Sequence, residues 1–494
     1  MVKIFDVAVV GAGFGGLAAA AMLSKEGKSV AVFEASNELG GSAGKFERDG
    51  YRFQSGATLG MGFESGGVFS NLYQKLDLQP PPMKLLSPIM DIHLPDRTIH
   101  YYRERQKWYE EIARKFPGDP SRIQAFYDEV FRVGAMVDQL VHQLPVFPPK
   151  KFKDWVNLLP LVKPGSLPLA PYLGQTIYDR LKKYGLHENR LFITFLNGEL
   201  MDSVQTNVTR CPAFLGYAAL QTFHKGAYAV RGGLAVIAEQ LAHYCKRAGN
   251  DVFMRHPIYQ VSEDHGIYQL QSKRDQTFAA KQVLLNNSVH NFHDTVDKSL
   301  ASKSMINRQK EAERDAWGAY IIHAGVREEV FAETDVLYHQ FIDPEYPDDL
   351  HEGGQFLLSL SDPEDRQMAP EGMRSLTIST HTNAMQWWNT AHYAERKEAM
   401  KHRLLRTVDH YFPGFSEQLD FVLPGTPITF HKWLRRSFGK VGGYIPDGRF
   451  SWAKSYSIRT GLDGVFQCGD TIFPGAGTLG VTLSGLMAAK EMSK

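Results

Sequence analysis

The sequence predicts an α/β fold: a Rossmann-like dinucleotide-binding domain with an α+β second domain interleaved through it. Three observations predict this. The chain opens with a strand, a glycine turn, a helix, a second strand and an acid, in that order. Glycine-rich segments return near residue 480. The 494 residues carry no repeats or low-complexity tracts, and at roughly 150 residues per domain they hold two or three domains. Hydrophobic residues make up 43% and charged residues 22%, the balance of a folded globular chain, which excludes disorder, fibrous repeats and a polytopic membrane protein. A net charge of +1 supplies no field for gathering nucleic acid. Cys211, Cys245 and Cys468 are too far apart in sequence to suggest a disulfide framework or a zinc site, which points to a reducing, cytoplasmic compartment.

The opening elements each have a reason. Val7 to Leu23 is uncharged and would pass for a signal peptide or short span, but Gly11, Gly13, Gly15 and Gly16 interrupt it and it is shorter than the ~20 residues a span needs. Ile4 to Val10 is a β-rich run. Leu17 to Lys25 is made of good helix formers and stops at Gly27. Ser29 to Glu34 is a second buried strand. Between them, Gly11-x-Gly13-x-x-Gly16 allows a tight turn, close approach to a pyrophosphate, and close packing of helix on sheet. The helix start offers unpaired N–H groups to phosphates. Glu34, 18 residues after Gly16, is placed to bind ribose hydroxyls and disfavours a 2′-phosphate. Gly475-x-Gly477-x-x-Gly480 also fits the pattern, but only 14 residues follow it, too few for a second βαβ unit.

After Glu34 come Gly40-Gly41-Ser42, Gly44, and Asp49-Gly50-Tyr51-Arg52-Phe53-Gln54-Ser55-Gly56. This series resembles the flavin-binding start of the amine-oxidase and phytoene-desaturase clan. Ser42 stands where phytoene desaturases usually carry Arg, so within the clan the segment is most similar to the carotenoid-isomerase branch. Three further stretches resemble the same family: Val230 with Gly232 and Gly233, the helix through Leu241 to Lys246, a strand pair over 251–261 and Val283 to Asn287; Ser361-Asp362-Pro363 with Ala369-Pro370-Glu371-Gly372 and the strand Ser375 to Thr380; and Gly464 to Asp470 with Phe473 to Val481 and Ser484-Gly485. The resemblance implies FAD. It assigns to the cofactor Gly11, Gly13, Phe14, Gly15, Gly16, Glu34, Ala35, Gly40, Gly41, Ser42, Gly56, Ala57, Ile258, Asn286, Gly469, Asp470, Gly480 and Val481. Ile258 matches the residue whose backbone contacts adenine, and Gly469 and Asp470 match the ribityl and phosphate contacts. Gly480 is expected to begin the last helix, Val481 to Met492, with its N–H groups facing the flavin pyrimidine. Cys468 reads as a buried strand thiol in preference to a covalent flavin link.

These blocks divide the chain. Residues 1–70, 226–292 and 425–494 are expected to form a discontinuous FAD-binding domain, and 71–225 with 293–424 the substrate-binding domain, with the flavin at their interface. There is no second complete Rossmann unit, so a nicotinamide partner is not required; electrons would go to dioxygen or a quinone, or would not leave. Residues 140–173 mix Phe147, Phe152, Trp155, Leu158, Leu159 and Leu161 with Lys150, Lys151, Lys153 and Lys163. That pattern suits peripheral contact with membrane lipid, against the plainer reading of a Pro-rich lid.

The expected function is FAD-dependent redox chemistry on a hydrophobic polyene, by carotenoid desaturation or by cis–trans isomerisation on reduced flavin. Two alternatives stand beside it: a retinoid-type saturase or flavin amine oxidase, and a non-catalytic prenyl carrier similar to the Rab GDP-dissociation inhibitors. The intact glycine motifs with Glu34 and Asp470 weigh against the carrier. His323, Glu199, Asp202, His381, Trp387 and Trp388 are candidates for acid–base or substrate roles, but each reads better as structure, and no catalytic side chain is assigned. The 18 histidines show no metal-ligand spacing, and no metal is expected. Oligomeric state has no signal in the sequence.

Overall fold

A computed structural model describes residues 3–150, 154–156, 164–307, 309, 316–343 and 350–494. The opening strand, Ile4–Val10, is apolar and β-branched and is buried from Val7 onward. It pairs in parallel with Val30–Phe33 on one side and Gln276–Leu285 on the other. The sheet around it runs Asp251–Phe253, Val30–Phe33, Ile4–Val10, Gln276–Leu285, Ile267–Ser272 and Ile258–Asp264, with Val465–Gln467 joining Gln276–Leu285 in parallel. Asp251–Phe253 and Ile258–Asp264 were expected as a strand pair. They lie instead at opposite edges of this sheet: the first pairs with Val30–Phe33 in parallel, the second with Ile267–Ser272 in a hairpin. The four residues between them carry the chain across the sheet's end.

The helix Phe14–Lys25 begins inside the glycine turn and ends where Gly27, at φ +79°, lets Lys28 N–H reach the Leu23 carbonyl. Its Ala18–Ala21 run is fully buried against the sheet and the C-terminal helix. That last helix spans Gly477–Met492. It starts about a turn before the expected Gly480, because Gly477 already has helical hydrogen-bonding position and Ala476 is the extended residue ahead of it. The two glycine-led helices touch backbone to backbone. A Cβ on Gly15 would lie 2.6 Å from the Val481 carbonyl, and one on Gly485 would overlap the backbone of Gly15.

A second seven-stranded sheet has the order Leu419–Gly425, Trp317–Arg327, Met373–Asn383, Gln355–Leu360, Tyr338–Ile342, Met90–Leu94 and Arg97–Tyr101, all antiparallel except the pair Tyr338–Ile342 with Met90–Leu94. Its side chains alternate. Tyr320, Ile322, Ala324, Leu376 and Ile378 pack under the helix Tyr393–Tyr411 with Met400, Leu404 and Val408. Ile321, His323, Ser379 and His381 face the other way, into a cavity. Helices Pro120–Val141, Arg190–Val204 and Ala213–Lys225 form the remaining wall of that cavity.

Of the segment 140–173, residues 151–153 and 157–163 lie outside the described residues, and with them Phe152, Leu158, Leu159, Leu161, Lys151, Lys153 and Lys163. Phe147 packs on Phe473 (4.5 Å between ring centres) and on Trp452. Trp155 is exposed. No helix among the described residues is long and apolar enough to cross a membrane.

The glycine contact between the two helices generates a direct test. Gly485→Val forces a branched side chain into the Gly15 backbone and should cost about 1–3 kcal/mol or more of stability, lowering Tm by several degrees. Gly118→Ala, where a Cβ meets nothing within 4 Å, should leave the melting curve unchanged.

Candidate functional site

The cavity between the two sheets has a volume of about 1950 Å³. Ordinary ligand pockets run to about 300–1,000 Å³, so this one has room for a dinucleotide and a second large molecule. Every residue assigned to the cofactor from the sequence stands on its wall except Gly16. Gly16 lies just behind, where a Cβ would overlap the Gly11 carbonyl. It is the helix-packing glycine of the motif and has no direct place in the wall.

The glycine wall is made of backbone. Gly11 has φ +104°, and the turn it makes brings Gly13 to the cap of the first helix. Gly40, at φ +96°, bridges to Gly13, its N–H donating to the Ala12 carbonyl at 2.9 Å. Ser42 and Ala57 are joined by a 3.0 Å hydrogen bond from Ala57 N–H. Opposite them the C-terminal segment supplies Gly469, Asp470 and the start of the helix Gly477–Met492. A Cβ on Gly475 or Gly477 would meet nothing within 4 Å, and Gly477 borders the cavity. Two helix starts with unpaired N–H groups thus open onto one space.

Polar side chains fix this wall. Glu34 Oε2 accepts from Ala12 N–H and Oε1 from Ser36 N–H, both at 2.8 Å, which holds the carboxylate at the strand end on the cavity edge. Asn286 Nδ2 donates to the Gly11 carbonyl at 3.1 Å, while its Oδ1 accepts from the Cys468 thiol at 3.2 Å. One amide side chain therefore ties the N-terminal turn to the C-terminal segment. Burial pushes the Cys468 thiol far up from its ordinary range, so it stays protonated. Gly469 N–H donates to Ser484 Oγ at 2.9 Å. Asp470 pairs with Arg436, which the sequence reading missed. Arg436 follows the helix Pro427–Leu434, whose start is marked by Thr426-Pro427 and whose end is Arg435 at φ +54°; His431, Lys432 and Arg435 also border the cavity. A helix start at Thr-Pro was a legible signal for this element; nothing local says which cavity its basic residues reach.

The opposite wall is apolar and uncharged at its centre. His323 lies between the rings of Phe46 and Phe53, its Nδ1 3.3 Å from Thr377 Oγ1. Burial pushes it down to about 3, and His381 to about 4. Both present neutral imidazoles to whatever fills the cavity. Asp202 also lines the wall, whereas Glu199, Trp387 and Trp388 do not. Among the described residues there is no group of His, Cys, Asp and Glu able to hold a metal.

The cradle, the strand-end carboxylate and the paired helix starts define a dinucleotide-dependent oxidoreductase of the Rossmann-type flavoprotein class. The sequence model of the flavin containing amine oxidoreductases matches residues 14–493, and the chain belongs to that family. It is 27% identical to the chloroplastic prolycopene isomerase of Arabidopsis thaliana over 99% of this chain and 83% of that protein. It is 20% identical to the 4,4'-diapophytoene desaturase of Staphylococcus aureus (strain Newman) over 99% of this chain and 98% of that one. Among solved structures, putrescine oxidase bound to putrescine has the same fold, with a TM-score of 0.65 and 16% identity over 99% of this chain and 98% of that chain. The cofactor is FAD, and the residues present fit it: bare glycine amides for the pyrophosphate, Glu34 for the adenosine ribose, and a helix start for the flavin end.

Removing the Glu34 carboxylate tests the cradle. Glu34→Ala deletes the charged ribose acceptor and leaves Ala12 N–H and Ser36 N–H without their partner. FAD affinity, followed by the quenching of flavin fluorescence on binding, should fall by about 1.5–3 kcal/mol, or roughly ten- to a hundredfold.

Proposed function

We propose that this chain is an FAD-dependent enzyme of polyenes, and that the reaction is cis–trans isomerisation of a carotenoid-like chain, with desaturation of the same class of substrate as the second reading. The observation that carries the proposal is the cavity: one wall is a glycine cradle, and the other is a sheet face of Ile321, Leu357 and neutral His323, with Val137, Leu215 and Ala218 of the neighbouring helices beside it. Such a sheet face suits a long hydrocarbon and offers an amine no carboxylate. The similarity to prolycopene isomerase over nearly the whole chain and Ser42 in the GG-Ser segment favour isomerisation over desaturation.

Bound FAD supplies the electron chemistry that side chains cannot. The chain's own residues do the rest. Glycine amides and Glu34 hold the dinucleotide. The alternating strands turn only uncharged side chains toward the cavity, Ile321 and Leu357 beside Ser379 and the two imidazoles. The imidazoles of His323 and His381, pushed down to about 3 and about 4, place no competing charge beside a polyene whose electron density must shift.

A hydrocarbon substrate resides in lipid, and we assign the protein to the cytoplasm with peripheral contact at a membrane surface. Free, buried Cys211, Cys245 and Cys468 support a reducing compartment. Trp155 is 56% exposed, Trp433 66% and Phe438 46%, and Lys432 and Arg435 stand beside Trp433 at the cavity edge. Apolar rings flanked by cations suit a headgroup boundary. In flotation with vesicles containing anionic lipid, the protein should rise with the vesicles, and the pair Trp433→Ala with Phe438→Ala should leave more of it in solution.

The reaction is tested anaerobically with C30 and C40 carotenoids in liposomes. Small spectral shifts that need reduced FAD identify isomerisation. Red-shifted products formed with oxidised FAD identify desaturation. Turnover of amines, or of no polyene, removes the reading; a colourless protein that refuses FAD returns the prenyl-carrier alternative.

A further inference from the structure

The helix Arg190–Val204 carries two carboxyls one turn apart that face different spaces. Asp202 reaches the cavity. Glu199 is fully buried, and neither of its oxygens has a hydrogen-bond partner. The Trp108 indole N–H and His224 Nε2 are in the same condition, and the buried Tyr101 and Tyr127 hydroxyls have at most each other as partners. These groups come from four separate elements and belong to one aromatic cluster. Tyr101 and Trp108 rings are 4.9 Å apart, Tyr101 and His224 4.9 Å, Trp108 and Tyr127 5.3 Å, and Phe195, one turn before Glu199, lies 5.7 Å from Trp108. Burial first, and then neighbouring charge that includes the Glu199 carboxyl, pushes both phenols well above their ordinary range. So many unpaired polar groups in one buried place is the pattern that ordered water satisfies.

We propose that Glu199 is a permanently protonated carboxylic acid that shares bound water with the Trp108 indole and His224 inside this buried cluster, and that Asp202, one turn away on the cavity wall, takes up a proton when an apolar chain fills the cavity. The second half rests on the polyene reading only in the class of ligand. Filling the cavity with hydrocarbon removes the water that solvates an ionised Asp202, and a carboxyl in an apolar site is neutral. Proton uptake and apolar binding are therefore linked, each favouring the other. Burial already pushes Asp202 up to about 6, and drives Glu199 up much further, with the Asp202 charge adding to it. His224, pushed down to about 3 by burial, cannot neutralise Glu199, and Arg105, at the head of the helix Arg105–Lys115, only reinforces that depression. Other charged groups line the same cavity: Asp138, which pairs with Lys225 at 2.5 Å and His142 at 3.3 Å, Glu64 near that group, and elsewhere on the wall Glu34, Lys45, Arg48, Asp294, Arg435 and the Arg436–Asp470 pair. His323 and His381 are neutral.

The test uses the FAD-loaded protein and diphenylhexatriene, a fluorescent polyene, as the probe. Its affinity should rise as pH falls toward about 6, by up to about tenfold per pH unit in the limit where only protonated Asp202 admits it. Binding at pH 7.5 should draw protons from a weakly buffered solution. Asp202→Asn should abolish both effects, and Glu199→Gln should keep both. Infrared spectra at pH 8 should show a carboxylic-acid carbonyl band sensitive to deuterium exchange, present in Asp202→Asn and missing in Glu199→Gln. A flat pH profile in the unmodified protein, or a slope that survives Asp202→Asn, overturns the linkage. Absence of the band at pH 8, or its survival in Glu199→Gln, overturns the neutral Glu199. None of these readouts depends on turnover, so they stand apart from failure of the isomerase reading.

Discussion

The whole site hangs on two helices that begin with bare backbone and press against each other. Gly15 and Gly485 leave no side chain between Phe14–Lys25 and Gly477–Met492. Any larger residue would push the helix axes apart, and with them the two sets of unpaired N–H groups at their starts. Because both starts sit at the same end of the contact, segments more than 450 residues apart open onto one cavity. Asn286 then fastens the arrangement with one side chain, donating to the Gly11 turn and accepting from Cys468. The glycines are thus a condition for convergence, and the convergence is what makes a long dinucleotide bindable along its length.

The second sheet solves a different problem, that of keeping a large cavity hydrophobic without collapse. Its period-2 alternation gives one face to the helix Tyr393–Tyr411 and leaves the other face for ligand. The polar residues on the ligand face are kept uncharged by burial, as His323 and His381 are. The charged groups of the cavity, among them Lys432, Arg435, the Arg436–Asp470 pair and the Lys225–Asp138–His142 group, stand on other elements than this sheet face. An ionised imidazole at the centre would draw in water and forfeit the low dielectric that strengthens every interaction around the cofactor.

How much of this was legible in the sequence depends on the range of the interaction that decides each feature. The α/β Rossmann-like fold and a dinucleotide site follow from residues within about thirty positions of one another, a turn glycine, a helix run, a strand and an acid, while FAD is what the resemblance of Gly40 to Gly56 and of the three later stretches implies. Strand pairing is not local. Nothing in 251–264 tells Asp251–Phe253 to join Val30–Phe33 and Ile258–Asp264 to fold back on Ile267–Ser272, so their separation to opposite edges was missed. The start of the last helix was misplaced by a turn because Gly477 reads as loop by composition, yet its positive φ is what admits the chain to the helix. Arg436 was missed because its partner, Asp470, is 34 residues away. Glu199 was seen and set aside as structure; that it is wholly buried with empty hydrogen-bonding capacity depends on four elements that meet only in three dimensions.

The two GxGxxG matches sharpen what such a fingerprint encodes. In both, the last glycine of the motif lies against the carbonyl of the first, Gly16 against Gly11 and Gly480 against Gly475. The same local constraint, a helix starting directly over a tight turn, is met in each. Only the first is followed by the second strand and Glu34, with the carboxylate anchored by Ala12 and Ser36. The pattern by itself therefore specifies a helix start stripped of side chains, which is an anion-facing device wherever it occurs. Nucleotide identity enters with the acid at the end of the neighbouring strand. That is why the second match, unfit for a βαβ unit of its own, still lines the same cavity: it opens a second bare helix start onto the space that the first turn and Glu34 border.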